Sequence, residues 1–214
     1  GTTASGTASH AEGDATNATG YSSHAEGINT TASGPYSHSE GDGAAATGYI
    51  SHSEGEYTTA SGYSAHAEGT VTTASGDYSH AEGSGTTASG YASHAEGDGS
   101  VATSDFSHAE GSGTIASGSY QHVSGKYNKR ANNFSLFVIG DGTGDDDVDR
   151  SDIFRVNSGS VGGTGRVEVT GSFAATAGLT GSYVKILEEL SISADVMEVS
   201  GTLTVSGSLL VSGT

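Results

Sequence analysis

Polar and small residues alternate along the first 127 residues in a form repeated almost without change. The stretch Thr-Thr-Ala-Ser-Gly is followed by two variable residues, then Ser-His-Ala-Glu-Gly by two more. Alternation over five residues predicts a short strand, and a glycine with two variable residues predicts a turn. Together the two heptads make a 14-residue unit that starts at Thr2, and nine copies reach Tyr127. All nine histidines keep the period: His10, His24, His38, His52, His66, His80, His94, His108 and His122. Two residues after each comes Glu12, Glu26, Glu40, Glu54, Glu68, Glu82, Glu96 or Glu110, with Ser124 in the ninth place. A period kept this strictly predicts stacked, equivalent coils. Each coil then holds two strands and two turns, one layer of a parallel β-roll.

Side chains in a strand point alternately to its two faces. In Ser-His-Ala-Glu-Gly the serine and alanine share one face, and the histidine and glutamate the other. In Thr-Thr-Ala-Ser-Gly the first threonine and the alanine share a face. The alanine columns are therefore expected to fill the interior. Alanine buries too little surface to offset chain entropy in a lone rod, so association of identical chains is expected to supply the rest.

The Ser-x-Ala-x-Gly skeleton of both heptads resembles the head repeats of trimeric autotransporter adhesins of the YadA type. Ser-His-Ala-Glu-Gly runs also look like those of phage and prophage tail fibres. The stretch Asn133–Val156, N-F-S-L-F-V-I-G-D-G-T … R-S-D-I-F-R-V, looks like a segment that closes such rolls in phage fibre proteins. The resemblance implies an all-β homotrimer: a parallel β-roll of 14-residue coils, two short strands each, followed by a triple-stranded β shaft. The expected organisation is repeats over 1–127, a junction or capping segment over 128–160, and a hexad-repeat trimeric shaft over 161–214. The hexads read [V/L]-[S/T]-G-[S/T]-[L/F/Y] at Val169–Phe173, Leu179–Tyr183, Val199–Leu203 and Val205–Leu209, and start again at Val211. Between them, Tyr183–Ile192 is expected to be a strand. Both termini fall within a repeat, as expected for a segment of a longer fibre.

Extending the columns past the ninth unit gives an orientation. Fourteen residues beyond His122 lies Leu136, and fourteen beyond Ser124 lies Val138. The second-threonine column continues from Ile115 to Lys129. The histidine and glutamate columns, continued by Leu136 and Val138, are thus expected to face the trimer axis. Val101 and Ile115 in the threonine column argue the other way. On the axis, stacked carboxylates need partners, and the histidines are the obvious ones. Such pairing predicts raised histidine pKa values and a stability lost as pH rises.

Imidazole and carboxylate are also metal ligands, so the nine histidines are candidate sites for axial ions or water beside the packing reading. Ninefold recurrence argues against catalysis, which uses a unique site, and no cofactor or enzyme activity is expected. The first turn carries an aromatic in eight units: Tyr21, Tyr36, Tyr49, Tyr63, Tyr78, Tyr91, Phe106 and Tyr120. They form either a ridge for a host-surface receptor or glycan, or a stack between turns and subunits. In the acidic stretch Asp141–Asp152, the side chains of Asp145, Asp147 and Asp149 are weak calcium candidates. An EF-hand loop would need glycine at Arg150 and an acid at Val156.

Charge removes further classes. The chain of 214 residues has a formal charge of −18, and all seven lysines and arginines lie at Lys126 or later. So acidic a chain is a poor partner for nucleic acid or anionic membranes. It has no cysteine and no 18-residue apolar run, so neither disulfides nor a membrane-spanning helix is expected. These features predict a structural segment of a phage tail or virion fibre that projects or presents a receptor-binding tip for host attachment. The alternative is the head of a bacterial trimeric surface adhesin or another extracellular filament. Either implies a virion or cell-surface location, with the chain's own copies and other fibre segments as partners.

Overall fold

A computed structural model describes residues 1–130, 135–158 and 165–170. All of them fall within one unit, Gly1–Phe173. The hexads beyond Thr170 and the strand expected at Tyr183–Ile192 lie outside the described residues.

Each repeat folds into one coil with a two-residue and a five-residue strand. The first coil holds β1 (Thr3–Ala4) and β2 (His10–Asp14), and the alternation runs to β17 (Ile115–Ala116) and β18 (His122–Lys126). Short strands stack in a nine-stranded parallel sheet, and long strands form most of a twelve-stranded one. Every pair is in register by the repeat: His66 lies opposite His80, Ala67 opposite Ala81, and Glu68 opposite Glu82. Identical residues thus stack on themselves, which turns a sequence column into a physical ladder.

The interior is made of alanine. Ala18, Ala32, Ala60, Ala74 and Ala88 of the short strands and Ala25, Ala67, Ala81, Ala95 and Ala109 of the long ones have no exposed surface. From the second coil on, the residue that opens each unit, threonine except at Ala44 and Ser100, and the residue before each histidine, serine except at Ala65 and Gln121, are buried beside them. At Ser23, Ser51, Ser79, Ser93 and Ser107 the serine returns its hydroxyl to the turn carbonyl three residues back, 2.8 Å from that of Gly48 at Ser51. Where serine replaces the interior alanine, its hydroxyl also finds an interior acceptor. Ser39 donates to the Ala44 carbonyl at 2.8 Å, and Ser53 pairs with Thr58 at 2.8 Å. Satisfied hydroxyls of this kind can replace methyl groups in a dry core at little cost.

The roll closes differently from the expectation. Beyond the ninth coil, β19 (Ser135–Asp141) joins β18 in parallel, but His122 lies opposite Phe137 and Val123 opposite Val138. The offset is 15 residues rather than 14, which moves every side chain to the other face relative to a strict period. Leu136 and Val138 therefore do not continue the histidine and glutamate columns. Val138 is fully buried and extends the alanine column through Val123, whereas Leu136 is exposed. Phe137 and Ile139 take the expected places, and the Phe137 ring packs 5.1 Å from that of His122. Strands β20 (Asp152–Asn157) and β21 (Arg166–Val169) then add to the sheet in antiparallel order.

Three single-copy residues finish the stack. The nine-stranded sheet ends at β17, which would leave its outer amides without the next coil's carbonyls. The Asn128 side chain supplies them: Oδ1 accepts from Ile115 N at 2.7 Å, and Nδ2 donates to the Ile115 carbonyl at 2.9 Å. Gln121 Oε1 does the same for Ser117 N and Gly118 N at 2.9 and 3.0 Å. Arg150 is buried against the last turn, donating to the carbonyls of Gly113 and Asn128 at 2.8 and 3.1 Å. Its guanidinium also sits over the Tyr127 ring, 5.7 Å from the centroid.

Candidate functional site: the histidine and glutamate ladder

The outer face of the long-strand sheet carries the histidines and glutamates in two adjacent ladders. Parallel pairing sets the imidazoles one above another, with ring centroids 4.8 Å apart and planes within 4° from His24 to His66. Stacking persists to His108 and tilts between His108 and His122. Next to it, the stacked carboxylates line an open groove above Glu82, Glu96 and Glu110, floored by Gly83, Gly97 and Gly111.

The ladders are cross-linked between coils rather than chiefly within them. Glu26 meets His38, Glu54 meets His66 and Glu82 meets His94 at 3.2, 3.1 and 3.3 Å. The H-x-E spacing thus pairs the glutamates from Glu26 to Glu110 with the histidine of the following coil, twelve residues on, whereas Glu12 lies 4.0 Å from His10 of its own coil. The hydrogen bond closes on alternate coils, at His38, His66, His94 and His122. At His52, His80 and His108 the carboxylate stands 3.4–3.7 Å away without bonding geometry. The Nε2 atoms of His24, His52, His80 and His108 are buried without a partner.

Within one chain, three histidines shift away from the sign expected for pairing at a trimer axis. The pKa values of His52, His80 and His108 are lowered from the usual 6.5, first by desolvation and then by the imidazoles above and below. The glutamates pull the other way and do not prevail. Stacking at 4.8 Å places like charges too close for consecutive imidazolium ions. Among the carboxylates, Glu82 is raised by a shared hydrogen bond with Glu96, and Glu96 is lowered by the same bond. A histidine with a lowered folded pKa contributes stability that is present above the unfolded value and lost as pH falls through the folded one. In buffer containing a chelator, Tm is expected to fall as pH is taken from 8 to 5. A Tm that rises on acidification over that window would restore the ion-paired picture.

The aromatic residues form a continuous exposed ridge along one turn. Neighbouring rings from Tyr21 to Tyr120 lie 5.0–5.5 Å apart. Each is at least 40% exposed. Ring geometry follows the turn slot. Tyr49 and Tyr63 share a slot and stack at 12°, as Phe106 and Tyr120 do at 8°. Where the aromatic changes slot, as from Tyr21 to Tyr36, the rings meet edge to face at 74°. Both arrangements suit the aromatic quadrupole.

In the acidic stretch, Asp145 accepts from Arg130 at 3.1 Å and from Arg150. These two guanidinium groups hold its carboxyl below the usual range. Asp147 lies 3.5 Å from Arg130, and Asp149 gives its backbone carbonyl to Thr143 N at 2.8 Å. Arg150, one of the two arginines that neutralise this stretch, also closes the roll.

Among the described residues no helix is long and apolar enough to cross a membrane. No curated protein matches the chain. Residues 25–51, 53–79 and 81–103 match the model of the YadA head domain repeat. The chain carries a YadA-head-like β-solenoid, a repeat that serves structure and adhesion rather than catalysis.

Proposed function

We propose that this chain is an adhesive segment of a trimeric surface filament, the head of a bacterial trimeric adhesin. The observation that carries the reading is the match of three stretches within residues 25–103 to the YadA head repeat, on a roll whose interior is alanine. A core of methyl groups contributes little per residue, and an extended face of half-buried histidines and glutamates remains beside it. Three copies meeting along that face would bury the ladder, continued by Phe137 and Ile139, and leave the aromatic ridge outward for a receptor or glycan.

Native mass spectrometry tests the assembly. The expected species has three times the 21.1 kDa chain mass. A folded monomer at micromolar concentration would overturn it. A phage tail or virion fibre is the second reading, favoured by the hexads from Val169 onward, which suit a slender three-chain shaft. Immunogold labelling separates the two: the adhesin decorates the bacterial surface, whereas the fibre decorates virions.

A further inference from the structure

We propose that the histidine and glutamate ladder binds divalent transition-metal ions on alternate coils, each ion held by two imidazoles from adjacent coils and the carboxylate between them. The donor set is on one face and within one chain. His24, Glu26 and His38 bring their ligand atoms within 4.8 Å of one another, and His52, Glu54 and His66 do the same two coils further on. In each triad the glutamate already meets one imidazole, at 3.2 Å for Glu26 and His38 and 3.1 Å for Glu54 and His66. Bonds of about 2.0–2.2 Å to a tetrahedral ion set its donors about 3.4 Å apart, close to those distances. The remaining imidazole of each triad, His24 or His52, has a buried Nε2 that makes no hydrogen bond, although Glu40 stands 3.5 Å from that of His52. The two imidazoles stack 4.8 Å apart, so side-chain rotation would have to bring both Nε2 lone pairs onto one ion, which would then satisfy that atom and engage the carboxylate of the existing pair.

Alternate loading follows from ligand counting. The intervening triad, His38, Glu40 and His52, shares one histidine with each neighbour. One Nε2 lone pair serves one ion, so two histidines per ion allow one ion for every two coils. Nine histidines therefore set a ceiling of four ions per chain, of which His24, Glu26 and His38 and His52, Glu54 and His66 are gathered as two-imidazole triads, whereas further along Glu82, His94 and Glu96 come together with one imidazole. Adjacent ions would lie two coils apart, about 9.6 Å at strand spacing, which lowers their repulsion. Two nitrogens and one oxygen favour zinc, copper, nickel or cobalt over calcium and magnesium. The fourth position faces outward, open to water or to a donor from another chain. Because each triad is complete within one chain, the proposal holds for a monomer or a trimer.

The test uses the full chain, stripped with chelator and titrated with Zn²⁺. Native mass spectrometry reads bound ions and oligomeric state together, which separates failure of this proposal from failure of the trimer. The expected result is saturation at up to four zinc ions per chain, unaffected by excess Mg²⁺ or Ca²⁺. The double variant His24→Gln, His52→Gln is expected to bind two ions fewer than the native chain. Copper-loaded native chain is expected to show hyperfine splitting from two nitrogens, a readout that needs no variant to fold. Failure to bind zinc, an unchanged stoichiometry in the double variant, eight or nine ions per chain, or copper spectra without nitrogen would each overturn the proposal.

Discussion

Gly69→Ala is expected to break the roll in the middle. A Cβ at Gly69 would lie 2.1 Å from the carbonyl oxygen of Gly83 on the next coil, and the residue has a φ of +102°. The backbone conformation alone costs an L-residue about 1–3 kcal/mol. The clash adds to it, because the opposing atom is main chain held by parallel pairing on both sides. A loss of at least about 3 kcal/mol is expected. In a solenoid each coil contacts only its neighbours, so one failed interface separates two arrays. Melting should therefore split into two transitions, with new proteolysis near the fifth and sixth coils. Gly13→Ala makes the same clash, 2.0 Å from the Gly27 oxygen, but in the first of the nine coils. It should fray one coil and leave the main transition nearly in place. Equal Tm changes for the two variants would refute the one-dimensional account.

Ala81→Leu is the second large effect. Ala81 has no exposed surface and sits in the core cluster with Ala67 and Ala95 in its own column and Ala74 and Ala88 of the other sheet. Overpacking costs about 1–3 kcal/mol in an ordinary core, and the upper end is expected here. A leucine would have to separate two sheets whose approach is set by methyl groups on either side. The molecule itself shows where a larger side chain is accepted. Val123 and Val138 occupy this column only at the end, where the short-strand sheet stops at β17. Ala11 in the first coil is only partly buried, so Ala11→Leu should be close to neutral. The check is paired thermal denaturation, and a stable Ala81→Leu beside an unstable Ala11→Leu would contradict the packing argument.

Much of the repeat could be read from spacing. The 14-residue period, the two strands per coil and the inward alanine, serine and threonine columns all appear as expected. Even ring packing along the ridge is encoded there. Aromatics 14 apart, such as Tyr49 and Tyr63, stack, whereas those 13 or 15 apart, such as Tyr36 and Tyr49, meet edge to face at 79°. Spacing also led to the apolar continuation of the histidine and glutamate columns, although its residues are Phe137 and Ile139, not Leu136 and Val138. The extra residue between β18 and β19 carries no periodic signal, so counting by 14 missed it.

What the sequence determined by itself was translation: which residue lies above which, because every coil repeats the last. The tertiary structure decided what stands outside that translation. Asn128, Gln121 and Arg150 occur once, and their roles at the end of the roll depend on which amides and carbonyls the last coil leaves open. From Glu26 onward the partner of the glutamate is the histidine one coil on, a choice that depends on side-chain reach across the strand spacing. The lowered pKa values of His52, His80 and His108 within one chain were likewise not legible in the sequence. Charge type was written in the sequence, but desolvation and a 4.8 Å separation between imidazoles depend on burial and distance, which only the folded stack sets.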